Sequence, residues 1–343
     1  MKKKEIKCVI WDLDNTLWNG ILSEDKEVKL REDAKNMIIV LDSRGILNSI
    51  SSKNNYDDAM KKLEEFGLSQ YFLYPEINWN PKSDSVGKIV KHLNIGMDTI
   101  LFIDDSEFER NEVISVYPEV MTDDGADLVK LLSNEILNPE YITIDARNRR
   151  QMYLESIKRN CVEESFIGTN EEFLKSIDMR FCIRQAREDD LNRVQELTVR
   201  THQLNSTGVT YSFEELDEYR KSENHKLYVC ELIDKFGSYG KIGIALVELG
   251  KEWHLKLLLM SCRVMNRGVG TVLLSYIMGE AKKNNSILLA DFMQTDRNKV
   301  MYVSYKFANF KERSNDGKGN IVFENDLSII PKIPAYLTLI TEC

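Results

Sequence analysis

The stretch Cys8-Val9-Ile10-Trp11-Asp12-Leu13-Asp14-Asn15-Thr16-Leu17 constrains this chain more than any other. Four apolar residues in a row read as a short strand buried on both faces, as in a parallel sheet covered by helices. Two acids separated by one residue follow, where that strand should end. In an open α/β sheet, ligands bind beyond the carboxyl ends of the strands. Carboxylates at a buried strand end are costly unless something offsets their charge, and a divalent cation with oxygen ligands does so. The stretch therefore points to Asp12 as a nucleophile, with Asp12 and Asp14 holding magnesium.

The next hundred residues repeat a strand–helix alternation that predicts a parallel sheet with helices on both faces. Trp18-Asn19-Gly20-Ile21-Leu22 reads as a short flap. Residues 33–43 read as a helix ended by Gly45, and 45–52 as a second strand ending in hydroxyls. An amphipathic helix runs to Phe66, and the aromatic run Tyr71-Phe72-Leu73-Tyr74 is expected to be a third strand. Loop residues 78–83 lead into a helix over 86–93, and 99–105 form a fourth strand ending in Asp104 and Asp105.

Four strand ends or loops thus offer Asp-x-Asp-x-Thr, a hydroxyl, a lysine and Asp-Asp, in that order. An Asp carboxylate can attack phosphorus and form an aspartyl-phosphate. Asp14, two residues on, points the same way along the strand and can protonate a leaving group and then activate water. Lys82 and Ser52 can bind phosphoryl oxygens as charge develops, and Asp104 and Asp105 complete a metal site. Ser51 competes with Ser52 for the hydroxyl role. Each feature alone also reads as a cap, a turn hydroxyl or a solvated lysine. The ordered set does not. No Gly-x-x-x-x-Gly-Lys loop is present, which argues against a P-loop enzyme.

The length of 343 residues suits two domains. From Pro139 to about Phe173 the chain is charged and helical in pattern, with a basic core at 145–150, and reads as a solvated linker helix or an acidic-partner contact. A second domain starts with a strand at 179–185, followed by a helix from Glu188 through Arg200 and a polar turn with His202. Strands are expected over 226–233, 240–249, 253–261 and 286–292. Between the last two lies Cys262-Arg263-Val264-Met265-Asn266-Arg267-Gly268-Val269-Gly270, opening a helix over 271–283. Backbone N–H groups of Gly268 and Gly270 at a helix start, with Arg263 and Arg267, suit a phosphate or pyrophosphate. Arg263 and the helix start would favour a Cys262 thiolate, so Cys262 is a candidate covalent acyl carrier or a packed thiol. His202 is either a cap or a base.

The net charge is -9 with no dense basic stripe, which argues against a general nucleic-acid binder. The six cysteines are scattered without zinc spacing and read as thiols of a reducing compartment. No apolar run approaches a membrane span and no signal-peptide pattern appears, so the expectation is a cytoplasmic α/β protein.

The first half resembles the haloacid-dehalogenase (HAD) superfamily. Trp-Asp-Leu-Asp-Asn-Thr-Leu-Trp at 11–18, Ser-Lys-Asn-Asn at 52–55, Asn-Trp-Asn-Pro-Lys-Ser at 78–83 and Phe-Ile-Asp-Asp with Glu109-Arg110 look like its FkbH-like branch. Phrases at 200–205, 236–240, 261–264 and 297–298 are similar to the same family. The resemblance implies Asp12 as nucleophile, Asp14 as acid/base, Ser52 as phosphate-binding hydroxyl, Lys82 as charge stabiliser, and Asp104 and Asp105 as magnesium acids. It also implies a doubly wound HAD-like domain over 1–140 with a minimal cap, a helical linker over 141–178, and an acyltransferase domain of the GNAT type over 179–343. Members are similar to glyceryl transferase/phosphatases, which take glyceryl from 1,3-bisphosphoglycerate, a small phosphorylated acyl donor. They remove the remaining phosphate and load a separate acyl carrier protein. The phosphopantetheine arm of that carrier would meet Asn54, His202, Arg263, Arg267, Gly268, Gly270 and Asn298. The sequence departs from the family at His202 and near Gly270, and Met265 departs from the usual acyl-CoA loop. The alternatives are a HAD phosphatase on a small metabolite, with the second domain as cap or carrier-binding module, and a non-catalytic scaffold.

Overall fold

The computed structural model describes residues 5–139 and 142–341, so the expected boundary at 140–141 and Cys343 lie outside the described residues. The chain divides into two compact units, Met1–Leu154 and Glu155–Cys343.

In the first unit, β1 (Cys8–Trp11), β4 (Leu47–Ser52), β5 (Glu76–Ile77), β6 (Ile100–Ile103) and β7 (Met121–Asp123) form one sheet. Its order is β5-β4-β1-β6-β7, with every neighbouring pair parallel. Between β1 and β4 the chain folds a small antiparallel ribbon, β2 (Trp18–Asn19) with β3 (Lys29–Leu30). This ribbon is the flap expected after Leu17. The helix Glu32–Ser43 buries Ala34, Met37, Ile38 and Leu41 at helical spacing. Full burial of each large side chain contributes about 1.5–3 kcal/mol.

The sheet register matters for chemistry. Trp11 lies level with Ile50 on one side and Ile103 on the other. The residues just past that line are Asp12, Ser51 and Asp104, so one edge of the sheet gathers them. The expected third strand at 71–74 is corrected. Ser69–Tyr71 is a short 3-10 turn, Phe72 makes a single bridge to Asn48, and Tyr74 takes a left-handed φ of 49°. That φ breaks an extended run, and pairing resumes only at β5.

Helices Arg149–Ser165 and Asn170–Ser176 occupy most of segment 142–178, and several of its arginines are paired within the protein. The Arg149 guanidinium donates to the Gly45 carbonyl. Arg150 pairs with Asp42 at 2.9 Å and donates to the Gln70 carbonyl. Further on, Arg159 is buried against Asp234 at 2.5 Å. The basic cluster thus binds the protein's own acceptors.

The second unit is built on an eight-stranded mixed sheet. Its strands are β8 (Met179–Gln185), β9 (His225–Asp234), β10 (Gly237–Glu248), β11 (Glu252–Met260), β12 (Ile287–Met293), β13 (Lys311–Asn315), β14 (Asn320–Asn325) and β15 (Leu337–Ile340). The order is β13-β14-β12-β11-β10-β9-β8-β15. Helix Val269–Lys283 packs into the core on one face, and Leu191–Arg200 and Phe213–Lys221 into the core on the other. The parallel pair β11–β12 runs only from Glu252↔Ile287 to Leu255↔Ala290. Beyond it, Ser206 bonds to both strands: its N–H donates to Leu258 O at 2.9 Å and its carbonyl accepts from Met293 N at 3.0 Å.

Cys8, Cys161, Cys230 and Cys262 are in no disulfide, but Cys182 is disulfide-bonded, which corrects the expectation of thiols throughout. Among the described residues no helix is long and apolar enough to cross a membrane.

Candidate active site

The ends of β1, β4 and β6 bring together Asp12, Ser52, Asp104 and Asp105, and the start of helix Lys82–Leu93 adds Lys82. One ligand oxygen from each of Asp12, Asp104 and Asp105 lies within 4.8 Å of the others. Asp12 and Asp104 are buried, at 7% and 1% exposure. Lys82, also buried, bonds Asp12 through its ammonium. The same nitrogen lies 3.1 Å from Asp104 Oδ2 and donates to the Ser51 carbonyl at 2.7 Å.

Three carboxylates against one ammonium leave the cluster two negative charges in excess. Burial pushes the Asp12 carboxyl up to about 6, opposed by Lys82 and reinforced by the charge of Asp104. Burial likewise raises Asp104 and Asp105. Asp104 Oδ2 is buried, and the Lys82 ammonium 3.1 Å away is its partner. A donor set whose three carboxylates outnumber its one ammonium suits a hard divalent cation such as magnesium, whose preferred ligands are carboxylate oxygens. The residues present therefore fit one, held by Asp12, Asp104 and Asp105.

The Asp14 side chain, expected to share the metal, stands outside that cluster. Its Oδ1 accepts from Trp18 Nε1 at 2.7 Å and from Leu22 N at 3.0 Å, and its Oδ2 accepts from Asn54 Nδ2 at 2.9 Å. The ribbon and the loop after β4 hold this carboxylate beside the cluster, where it can exchange a proton. Asn54 is thereby a positioning residue for Asp14, where ligand contact was expected. Asn54 also donates to Ser52 Oγ at 3.3 Å. The Ser52 hydroxyl bonds Asp12, whereas Ser51 Oγ is buried without a partner. Strand alternation sends the two hydroxyls to opposite faces, so of the two it is the Ser52 hydroxyl that lies at the cluster.

Two residues of the quoted motifs, Thr16 and Arg110, gain supporting parts here, and one further residue, Glu112, was missed in the sequence. Thr16 Oγ1 accepts from Asp105 N at 3.1 Å and so ties the loop after β1 to the end of β6. Arg110 donates to the carbonyls of Asp104 and Asp105 at 2.6 and 2.9 Å. Glu112 accepts from both the backbone N–H and the hydroxyl of Ser83, beside Lys82. A signal for Glu112 does exist: Pro81 precedes that helix and gives it no side-chain cap, so an acceptor from elsewhere is required.

In the second unit, two expected ligand contacts are corrected. Asn298 is fully buried. Its amide donates to Asn205 O at 3.0 Å and Met293 O at 2.9 Å, and its carbonyl accepts from Thr295 N. It clamps backbone. Arg267 forms a two-pronged pair with Glu163 at 3.2 and 2.8 Å and lies over the Phe173 ring. Gly268 takes φ +77°, with the Tyr336 hydroxyl where a Cβ would stand, while Gly270 opens the same helix. Arg263 donates to Ser261 Oγ at 3.4 Å. His202 is half-buried after helix Leu191–Arg200, and Cys262, also half-buried, has its Sγ 4.0 Å from Gln203 Oε1.

Residues 18–111 match the family model of haloacid dehalogenase-like hydrolases. The first unit thus carries a HAD-like hydrolase domain, and the matched span takes in Ser52, Lys82, Asp104 and Asp105. The chain is also similar to the N-terminal part of a Bacteroides fragilis protein containing a phosphatase domain complexed with Mg. There it is 30% identical, covering 39% of this chain and 40% of that one, with a TM-score of 0.36. A second similarity is to the ribosomal-protein-S18-alanine N-acetyltransferase from Escherichia coli, 14% identical over 44% of this chain and 97% of that one, TM-score 0.35. A third is to an N-acetyltransferase from Thermoplasma acidophilum in complex with coenzyme A, 15% identical over 42% and 98%, TM-score 0.30. Comparison with curated proteins finds no match.

Proposed function

We propose that the first unit is a magnesium-dependent phosphatase or phosphotransferase centre with Asp12 as its nucleophile. The observation that carries this reading is the carboxylate cluster, two of its three acids buried, which holds an excess of negative charge beside a single lysine. A carboxylate oxygen of Asp12 attacks phosphorus, and the bond from phosphorus to the leaving oxygen breaks. That oxygen takes a proton from Asp14. The resulting aspartyl-phosphate is cleaved when Asp14 removes a proton from water and the water oxygen attacks phosphorus. Lys82 and the Ser52 hydroxyl hold phosphoryl oxygens while their charge grows. A magnesium ion on Asp12, Asp104 and Asp105 would offset the charge of the phosphoryl group. Phosphate release from acetyl phosphate, measured with magnesium and then with EDTA, tests the reading. Equal rates in both would overturn it.

The finer reading is glyceryl transfer from 1,3-bisphosphoglycerate to a separate acyl carrier protein, with the second unit, through Cys262, handling the acyl group. Its support is the set of phrases shared with FkbH-like proteins in both halves of the chain, together with the half-buried thiol of Cys262, which is in no disulfide. The test is the mass of a carrier protein incubated with the enzyme, magnesium and 1,3-bisphosphoglycerate. A glyceryl gain supports the reading, and an unchanged mass counts against it.

A further inference from the structure

An open cleft of about 300 Å³ adjoins Asp14. Its inner wall is Leu22, whose N–H holds Asp14 Oδ1, and Asn54, whose amide holds Asp14 Oδ2. A leaving group protonated by Asp14 therefore departs into this cleft. The outer wall is one face of helix Tyr56–Glu65, with Asp58, Lys61, Lys62 and Glu65, faced by Trp79.

Two features of that lining select a chemistry. First, its charges cancel: two lysines stand against two acids, and Lys62 is paired with Glu65 at 2.5 Å. The cleft has no excess positive charge to hold a polyanionic leaving group. Second, Trp79 is 70% exposed, and its loop is held in place. Asn78 N donates to Ser52 O at 3.0 Å, and Asn78 Oδ1 accepts from Asn80 N at 3.0 Å. The exposed Trp79 ring thus stands on an anchored loop at the wall of the cleft. Beside it stand paired donors and acceptors on Asn54, Asn55, Asp58 and Lys61. Hydroxyl groups use such donors and acceptors together, and an aromatic face packs against the C–H face of a sugar or polyol.

We propose that this cleft is the leaving-group subsite and that it takes an uncharged, polyhydroxylated leaving group, with Trp79 as its stacking platform. The proposal rests on the phosphoryl-transfer reading of Asp12 and Asp14, but its test does not need turnover. Trp11, Trp18 and Trp253 are buried, so Trp79 dominates quenching of tryptophan emission by acrylamide.

The full chain carrying Asp12→Asn is mixed with magnesium and either glycerol 3-phosphate, glucose 6-phosphate or acetyl phosphate. The two polyol phosphates should lower the quenching slope about twofold, whereas acetyl phosphate, which lacks a polyol, should leave it unchanged. In the active protein, Trp79→Ala should lower the ratio of kcat/KM for the polyol phosphates to that for acetyl phosphate about tenfold, equivalent to ~1.4 kcal/mol. An unchanged slope with both polyol phosphates, or an equal fall with acetyl phosphate, overturns the subsite. Absence of magnesium-dependent phosphate release from every ester overturns the phosphoryl-transfer reading instead, whatever the quenching shows.

Discussion

The two units bury charge in opposite ways. In the second unit two buried acids, Asp234 and Asp190, are matched. Asp234 receives both prongs of Arg159 at 2.5 and 2.9 Å, the Tyr239 hydroxyl at 3.0 Å and the Phe236 N–H at 2.9 Å. Asp190 receives Arg184 on both oxygens, Lys241 at 3.2 Å and the Arg187 N–H. In the first unit, Asp12, Asp104 and the exposed Asp105 come together, with a single lysine paired to the first two. A matched buried ion fixes structure, because removing its partner strands a charge. An unmatched cluster weakens the ligand-free fold and becomes favourable only when a cation or substrate completes it. The first pattern marks architecture and the second marks chemistry.

The sharpest way to break this contrast is to remove one acid from each unit. Asp12→Asn should lower magnesium-dependent phosphate release by about 10³-fold or more, the scale of losing a nucleophile. It should leave the magnesium-free thermal midpoint unchanged or raised, because it relieves repulsion from Asp104. Asp234→Ala should do the reverse. It strands Arg159 and should cost about 3–5 kcal/mol of stability, read by denaturant unfolding, while phosphate release per folded molecule is kept. If Asp12→Asn unfolds the protein, or Asp234→Ala abolishes turnover in folded protein, the assignment of roles fails.

How far the sequence foretold this division depends on whether the signal was local. The strand ends were legible because Cys8–Trp11 and Ile100–Ile103 are short apolar runs that stop at acids. The sheet register then brought those acids together. Ser52 was legible as the end of a strand, and Lys82, at a helix start, from its place in the ordered set. Asp14 misled, since spacing alone gives both acids of Asp-x-Asp the same neighbours. Its place was decided by partners from the ribbon and the loop after β4, Trp18, Leu22 and Asn54. Arg267 and Asn298 misled too, because a Gly-rich loop with a nearby arginine looks alike whether the guanidinium faces a phosphate or Glu163. Only the pairing across more than ninety residues distinguishes them. Tyr71–Tyr74 had strand composition, and the left-handed Tyr74 overrode it.

A gentler probe is pH. Burial raises the Asp12 carboxyl to about 6, well above its ordinary value near 4. For an acid raised in the folded state, the stability contribution is fully present below about pH 4 and is lost as pH rises through about 6. The magnesium-free protein should therefore lose thermal stability across that window. Magnesium favours the ionised carboxylates and should offset the loss, so the gain in thermal midpoint on adding magnesium should be larger at pH 7.5 than at pH 5. A gain independent of pH would mean that Asp12 is not part of the metal site. Asp234, already paired, gives the second unit no reason to respond to magnesium.

The smallest expected effect sharpens the contrast at the level of positioning. Glu112 accepts from the N–H and hydroxyl of Ser83 and so anchors the first turn of the helix that carries Lys82. Glu163 plays a similar part for Arg267 in the second unit. Glu112→Gln removes an anion at a helix N-terminus and one of two acceptor oxygens, each worth about 0.5–1 kcal/mol. Glu163→Gln removes a comparable interaction at a half-exposed pair. Both variants should lose about 1 kcal/mol of stability or less. Only Glu112→Gln should also lower kcat for phosphate release, by about three- to tenfold with KM little changed, because Lys82 meets the phosphoryl group most closely when charge is greatest. A Glu112→Gln enzyme with full kcat would show that Lys82 is held by Asp12, Asp104 and the Ser51 carbonyl alone. The lysine would then be fixed from within the cluster, and its helix would serve only as a carrier.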